Sequence, residues 1–132
     1  MSSIFNDFFK SGQNDKEPSE VVYDNEKPEN VDIIKIKAQI EGVVQGVGFR
    51  YTTKHLADQL QVSGIVRNEN DGSVYVEALG SESQIDNFIN ELAKGPSPSA
   101  TVDKVRVEYD NSITNYNGFG IRHWKLASLR VL

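Results

Sequence analysis

The sequence predicts an α+β domain with two helices on one face of a mainly antiparallel sheet of four to five strands. Two observations carry that prediction. Apolar residues alternate at period two in several short runs and recur at helical spacing in two longer ones. These runs follow one another as strand, helix, strand, strand, helix, strand. The chain has 132 residues, room for one ordinary domain rather than two.

Residues 10–30 are rich in Asn, Asp, Glu, Lys, Ser and Pro and poor in apolar side chains. Such a stretch buries too little surface to offset its ordering entropy, so residues 1–31 are expected to form a disordered acidic extension. At its start, Ile4, Phe5, Phe8 and Phe9 would share one face of a short helix. That face either rests on the domain or docks on a partner. The domain itself is expected over residues 32–124, with 125–132 as a C-terminal extension.

Ile34, Ile36, Ala38 and Ile40 alternate with polar residues, which predicts a strand with one buried face. Phe49, Thr53, Leu56 and Leu60 then recur at helical spacing over about three turns. Gly64 opens a second strand through Ile65 and Val66 to Asn68. Asn70-Asp71-Gly72 signals a tight turn, and Val74, Val76 and Ala78 alternate on the way back. Ser81 and Gln84 fit a capping box ahead of Ile85, Phe88, Ile89 and Leu92, and Gly95-Pro96 ends that helix. Val102, Val105 and Val107 mark a fourth strand. Phe119 to Trp124 reads as a short last strand, with His123 and Trp124 expected to be packing residues. This order is the split βαβ, ferredoxin-like arrangement.

Net charge is −5, and most of it lies at the front. Residues 1–30 hold seven acids and three lysines, whereas residues 31–132 hold twelve acids and eleven basic residues. No basic stripe or stacking motif points to a nucleic-acid partner. With no cysteine in the chain, disulfides, thiolate catalysis and zinc–sulfur sites are excluded. The two histidines, His55 and His123, are far apart and make a weak case for a metal. No apolar run approaches the ~20 residues of a membrane span. The N-terminus lacks a basic segment followed by an apolar core, so a cytoplasmic protein is expected.

Chemistry concentrates in Gly42-Val43-Val44-Gln45-Gly46-Val47-Gly48-Phe49-Arg50. Glycines here let the backbone curve and come close to a ligand. The N–H groups of residues 45–50 and the start of the first helix can surround one tetrahedral anion. Arg50 adds a planar guanidinium able to reach two phosphate oxygens. The loop is neither a Walker loop nor a dinucleotide fingerprint. Its plain structural alternative is a glycine-bearing turn whose arginine pairs with a nearby acid. Asn68, at the end of the second strand, either serves local turn backbone or orients a water molecule through its amide. Glu69 and Asp71 are expected to be solvated turn acids, and His55 a surface or half-buried residue.

Ile40-x-Gly42-x-Val44-Gln45-Gly46-Val47-x-Phe49-Arg50 resembles the first signature of the acylphosphatase family. Gly64-Ile65-Val66-Arg67-Asn68, with Gly72-Ser73-Val74 and Gly80, resembles the second. Gly95-Pro96 and Phe119-x-Ile121-Arg122 extend the likeness over about residues 32–124. The resemblance implies hydrolysis of carboxyl–phosphate mixed anhydrides to a carboxylate and inorganic phosphate. It implies no metal, no other cofactor and no phosphoenzyme. Carried over by position, the backbone of Gln45, Gly46, Val47, Gly48, Phe49 and Arg50, together with the Arg50 side chain, binds the phosphoryl group. Asn68 positions the attacking water. The expected partners are a small acyl phosphate and inorganic phosphate as product or inhibitor, with no nucleic acid and no membrane, acting on a monomer. Ile65 stands where the family usually carries an aromatic residue, and Gly48 occupies a variable position.

Two other readings remain open on the residues. One is a non-catalytic ferredoxin-like module binding a small anion or a partner. The other is a carbamoyl-phosphate-handling domain like that of hydrogenase maturation proteins, which are far longer chains with zinc-binding cysteines.

Overall fold

The structure, a computed structural model, describes residues 18–123. The helix expected at Ile4, Phe5, Phe8 and Phe9, the packing of Trp124 and the 125–132 extension lie outside the described residues. In chain order the elements are β1 (Glu20–Tyr23), β2 (Ile34–Val43), α1 (Phe49–Leu60), β3 (Ser63–Asn68), β4 (Val74–Gly80), α2 (Glu82–Lys94), β5 (Thr101–Tyr109) and β6 (Phe119–Arg122).

Alternation along β2 buries Ile34, Ile36, Ala38 and Ile40. Register then carries that apolar stripe across the sheet. Ala38 lies opposite Val76 on β4 and Val107 on β5, and Ile40 opposite Val74 and Val105. Both helices lay their apolar sides on this surface: Phe49, Thr53, Leu56 and Ala57 from α1, and Ile85, Phe88, Ile89, Leu92 and Ala93 from α2. Phe49 and Phe88 are fully buried, and each such ring stabilises the fold by about 1.5–3 kcal/mol. Gly42 sits at a register shift between β2 and β5 with φ 137°. A Cβ there would lie 2.1 Å from the Thr101 carbonyl oxygen, so the two strands can approach only at a glycine.

The sheet has six strands, ordered β1-β5-β2-β4-β3-β6, rather than four to five. Its four central strands are antiparallel, and each edge adds a parallel pair, β1 with β5 and β3 with β6. β1 corrects the expectation of disorder through residue 31. Four residues in a charged segment carry no readable period, and their order comes from the neighbours they meet. Tyr23 stacks on Tyr109 at 5.9 Å. Asn25 exchanges hydrogen bonds with the Tyr109 backbone, donating from Nδ2 to the carbonyl (3.0 Å) and accepting at Oδ1 from the N–H (2.9 Å). The Lys27 ammonium reaches Glu82 and Asp86 at the start of α2 (3.1 and 3.0 Å).

At the opposite edge, Phe119 packs edge-on against Phe88 at 5.9 Å, which seats β6 beside β3. The last strand ends at Arg122, and His123 is exposed rather than packed. Ile65, at the position where an aromatic was noted, is 2 % exposed and fully enclosed. Among the described residues no helix is long and apolar enough to cross a membrane.

Candidate active site

β2, β3 and β6 run in the same direction, because β4 is antiparallel to both β2 and β3 and β6 is parallel to β3. Their C-terminal ends therefore share one edge of the sheet. The glycine loop leaves β2 there, Asn68 ends β3 there, Ile121 arrives there on β6, and His123 follows just after that strand. A cleft of about 590 Å³ opens between them. Gly46, Gly48, Phe49 and Arg50 line its loop side, with Val44 beneath. Asn68, Ile121 and His123 line the other side, and Tyr51 stands at the rim.

The loop backbone is shaped by Gly46 at φ 76° and Gly48 at φ 78°, both left-handed and both with open space where a Cβ would be. Gly48 is the N-cap of α1, and no side chain caps the helix. The first intrahelical bond runs from Thr52 N–H to the Gly48 carbonyl at 3.1 Å, so the first-turn N–H groups of Phe49, Arg50 and Tyr51 precede the ladder. No acid stands in that turn. It carries Arg50 instead, a cation at the positive end of the helix dipole. Such a placement is unfavourable by itself and becomes favourable once an anion sits between the N–H groups and the guanidinium. The Arg50 Nη1 donates to the Arg122 carbonyl at 3.4 Å, a long contact that leaves most of its donors uncommitted. Among the described residues no acid pairs with Arg50, which speaks against the plain turn-and-ion-pair reading.

Asn68 lines the same cleft, and its Oδ1 is buried without a hydrogen-bond partner. A buried amide oxygen left unpaired is destabilising, on the order of 1–3 kcal/mol. The group therefore does not serve local turn backbone through that atom. The turn is built by Asp71 instead, whose Oδ1 accepts from the Ser73 N–H (3.0 Å) and hydroxyl (2.6 Å). Those bonds hold the Asp71 carboxyl below its ordinary range. Glu69 is not a free turn acid, since its Oε2 accepts from Arg67 Nε at 2.7 Å.

Two of the sequence-marked loop residues are turned away from the cleft. Gln45 Nε2 donates to the carbonyls of Glu69 and Ser73, both at 2.8 Å, and so ties the loop to the β3–β4 hairpin that carries Asn68. Val47 packs against the core, and its carbonyl accepts from the Ser97 hydroxyl at 2.6 Å. Both contacts hold the loop against its neighbours. Sequence reasoning missed Tyr51, Ile121 and His123 as lining residues. Nothing in the spacing of β6 says that it returns beside β3.

Another hollow, about 370 Å³, lies on the helix-free face of the sheet. Its charges are matched within it, Arg67 with Glu69, Lys37 with Glu108 and Arg106 with Asp24. Among the described residues no group of three or more His, Asp or Glu side chains could hold a metal ion.

Fold and cleft together define a small ferredoxin-like protein with a glycine loop and an uncapped helix N-terminus lining a cleft at one end of the sheet. The sequence profile of the acylphosphatase family matches residues 36–121, and the chain belongs to that family. An acylphosphatase of Thermotoga petrophila is 46% identical over 89 residues, 67% of this chain and 97% of the relative. One of Ligilactobacillus salivarius is 42% identical over 66% of this chain and 96% of its own. The crystal structure of acylphosphatase from Bacillus subtilis superimposes with a TM-score of 0.64 at 32% identity, covering 67% of this chain and 98% of that one. A full-length HypF in its phosphate- and nucleotide-bound form matches with a TM-score of 0.64 at 31% identity, over 74% of this chain but 13% of that one.

Proposed function

We infer that this protein is an acylphosphatase that hydrolyses carboxyl–phosphate mixed anhydrides, with Arg50 and the 45–50 backbone holding the phosphoryl group and Asn68 orienting the attacking water. The observation that carries this reading is that Asn68, whose Oδ1 has no hydrogen-bond partner, lines the same cleft as the uncapped N-terminus of α1. Water oxygen attacks phosphorus, the phosphorus–oxygen bond to the acyl group breaks, and the carboxylate leaves with the electron pair. The water's proton passes to a phosphoryl oxygen of the substrate itself. The leaving group is already stable, so the protein contributes position and charge rather than a strong base. Charge building on the non-bridging oxygens meets the first-turn N–H groups and the Arg50 fork. A carboxamide exchanges its donor and acceptor ends by rotation about χ2, so Asn68 can present either to the water.

A monomer as the working unit goes with the proposal. A cytoplasmic location goes with the proposal. The test is hydrolysis of acetyl, carbamoyl and benzoyl phosphate in EDTA by the wild type and by Arg50→Ala. Activity in the wild type and its loss in a folded variant are expected. Wild-type-like turnover by Arg50→Ala would overturn the assignment.

A further inference from the structure

Beside the phosphoryl cleft lies a second hollow, about 450 Å³, between the outer side of α1 and β6. Tyr51 and Ile121 line both hollows. Tyr51 is 76 % exposed, the most exposed large apolar side chain among the described residues, and follows directly on Arg50. Ile121 is partly buried against the core, so its side chain stands on a firm base.

The polar groups around this second hollow are mostly engaged elsewhere. Thr52 donates back to the Gly48 and Phe49 carbonyls, both at 3.1 Å. The Lys54 ammonium is held by Asp58 (2.9 Å) and by the Phe119 carbonyl (3.0 Å). The exposed His55 also lines this hollow, and the wall shared with the cleft is the Tyr51 ring and the Ile121 side chain. An exposed aromatic ring beside a rigid aliphatic one binds flat or branched hydrocarbon well, because burying it removes apolar surface from water at little entropic cost.

We propose that Tyr51 and Ile121 form the acyl subsite, a shelf that receives an aromatic or bulky aliphatic acyl group when the phosphoryl end of the same molecule occupies the Gly46–Arg50 cradle. This rests on the acyl phosphate reading above. A substituent longer than the anhydride has to leave the cradle, and the wall shared by the two hollows is the one that continues into open, apolar space. Acetyl and carbamoyl groups are too short to cover the Tyr51 ring and gain little from it. The preferred substrates are therefore acyl phosphates with a hydrophobic acyl group.

The experiment compares kcat/KM for benzoyl phosphate and acetyl phosphate in the wild type, Tyr51→Ala and Tyr51→Phe. The benzoyl-to-acetyl ratio is expected to fall roughly tenfold in Tyr51→Ala, the scale on which a small apolar contact discriminates between substrates. Tyr51→Phe, which keeps the ring, restores it. Inhibition by inorganic phosphate, which carries no acyl group, reports the cradle separately. A ratio unchanged in Tyr51→Ala, or equal losses on both substrates, overturns the shelf and leaves the catalytic reading standing. Failure of the wild type to hydrolyse either substrate overturns the catalytic reading, and the shelf with it.

Discussion

The two helices of this domain begin in opposite ways. At α2, Ser81 Oγ accepts from the Gln84 N–H (3.2 Å) while Gln84 Oε1 accepts from the Ser81 N–H (2.7 Å). Glu82 in the first turn complements the helix dipole. That terminus is satisfied from within the chain. At α1 the cap is a left-handed glycine with no side chain, the first turn has no acid, and Arg50 stands against the dipole. A well-capped helix needs no ligand, whereas α1 has N–H donors and a positive charge in want of an anion. On the proposed function, the difference marks the helix end that takes the phosphoryl group.

The sharpest way to break the contrast is to remove the charge that makes α1 unlike α2. Arg50→Ala is expected to lose at least about 10³-fold in kcat/KM, as befits the loss of a preorganised charge at the transition state. Inorganic phosphate should cease to inhibit it, while circular dichroism stays native. Asn68→Ala is expected to lower kcat by at least ~10²-fold, the scale for one preorganised polar group. It should bind phosphate as the wild type does, measured by titration calorimetry. A parallel loss of phosphate binding would mean that Asn68 holds the anion instead of the water.

Gln45→Leu removes the two 2.8 Å bonds that keep the loop in register with the hairpin. A fall in kcat on the order of tenfold is expected from misplacement of water against phosphorus, with a smaller change in phosphate inhibition. Steady-state kinetics with phosphate as inhibitor separates the two. At the other helix, Ser81→Ala should cost about 1 kcal/mol of stability through the lost cap, with kcat/KM unaltered. Thermal unfolding beside an activity assay checks both halves.

The smallest effect is expected at Asp71. Its folded-state pKa lies below the ordinary carboxylate value, first because of the Ser73 hydroxyl and then the Ser73 N–H. A depressed carboxylate pKa gives stability that is present above the unfolded pKa and lost as pH falls through the lowered folded value. The Tm of the wild type should therefore drop more steeply than that of Asp71→Asn as pH is taken down through the acid range. Identical slopes would show that the Ser73 contacts are not linked to folding.

Much of the molecule was legible because the information is local. The alternation of Ile34, Ile36, Ala38 and Ile40 needs only the period of a strand and one buried face. The Ser81–Gln84 box and the Gly95 stop need only neighbours within a helical turn. Gly46 and Gly48 stand four and two residues before Arg50, and the chemistry they offer follows from backbone freedom and charge. β1 was not legible, and β6 was legible as a strand but not in its place beside β3. Each is four residues long and pairs in parallel with a strand distant in sequence, so its order comes from partners such as Tyr109 and Phe88.

By itself, then, the amino-acid sequence determined the fold class, the order of the central elements and the residues that offer an anion site, since these rest on short-range periods and spacings. Tertiary structure alone decided that β2, β3 and β6 end at one sheet edge. It left the Asn68 oxygen unpaired and turned Gln45 into a tie between loop and hairpin. It set Tyr51 beside Ile121 on a wall common to two hollows. Those facts are contacts between residues far apart in the chain, and no local pattern encodes a distance that only packing creates.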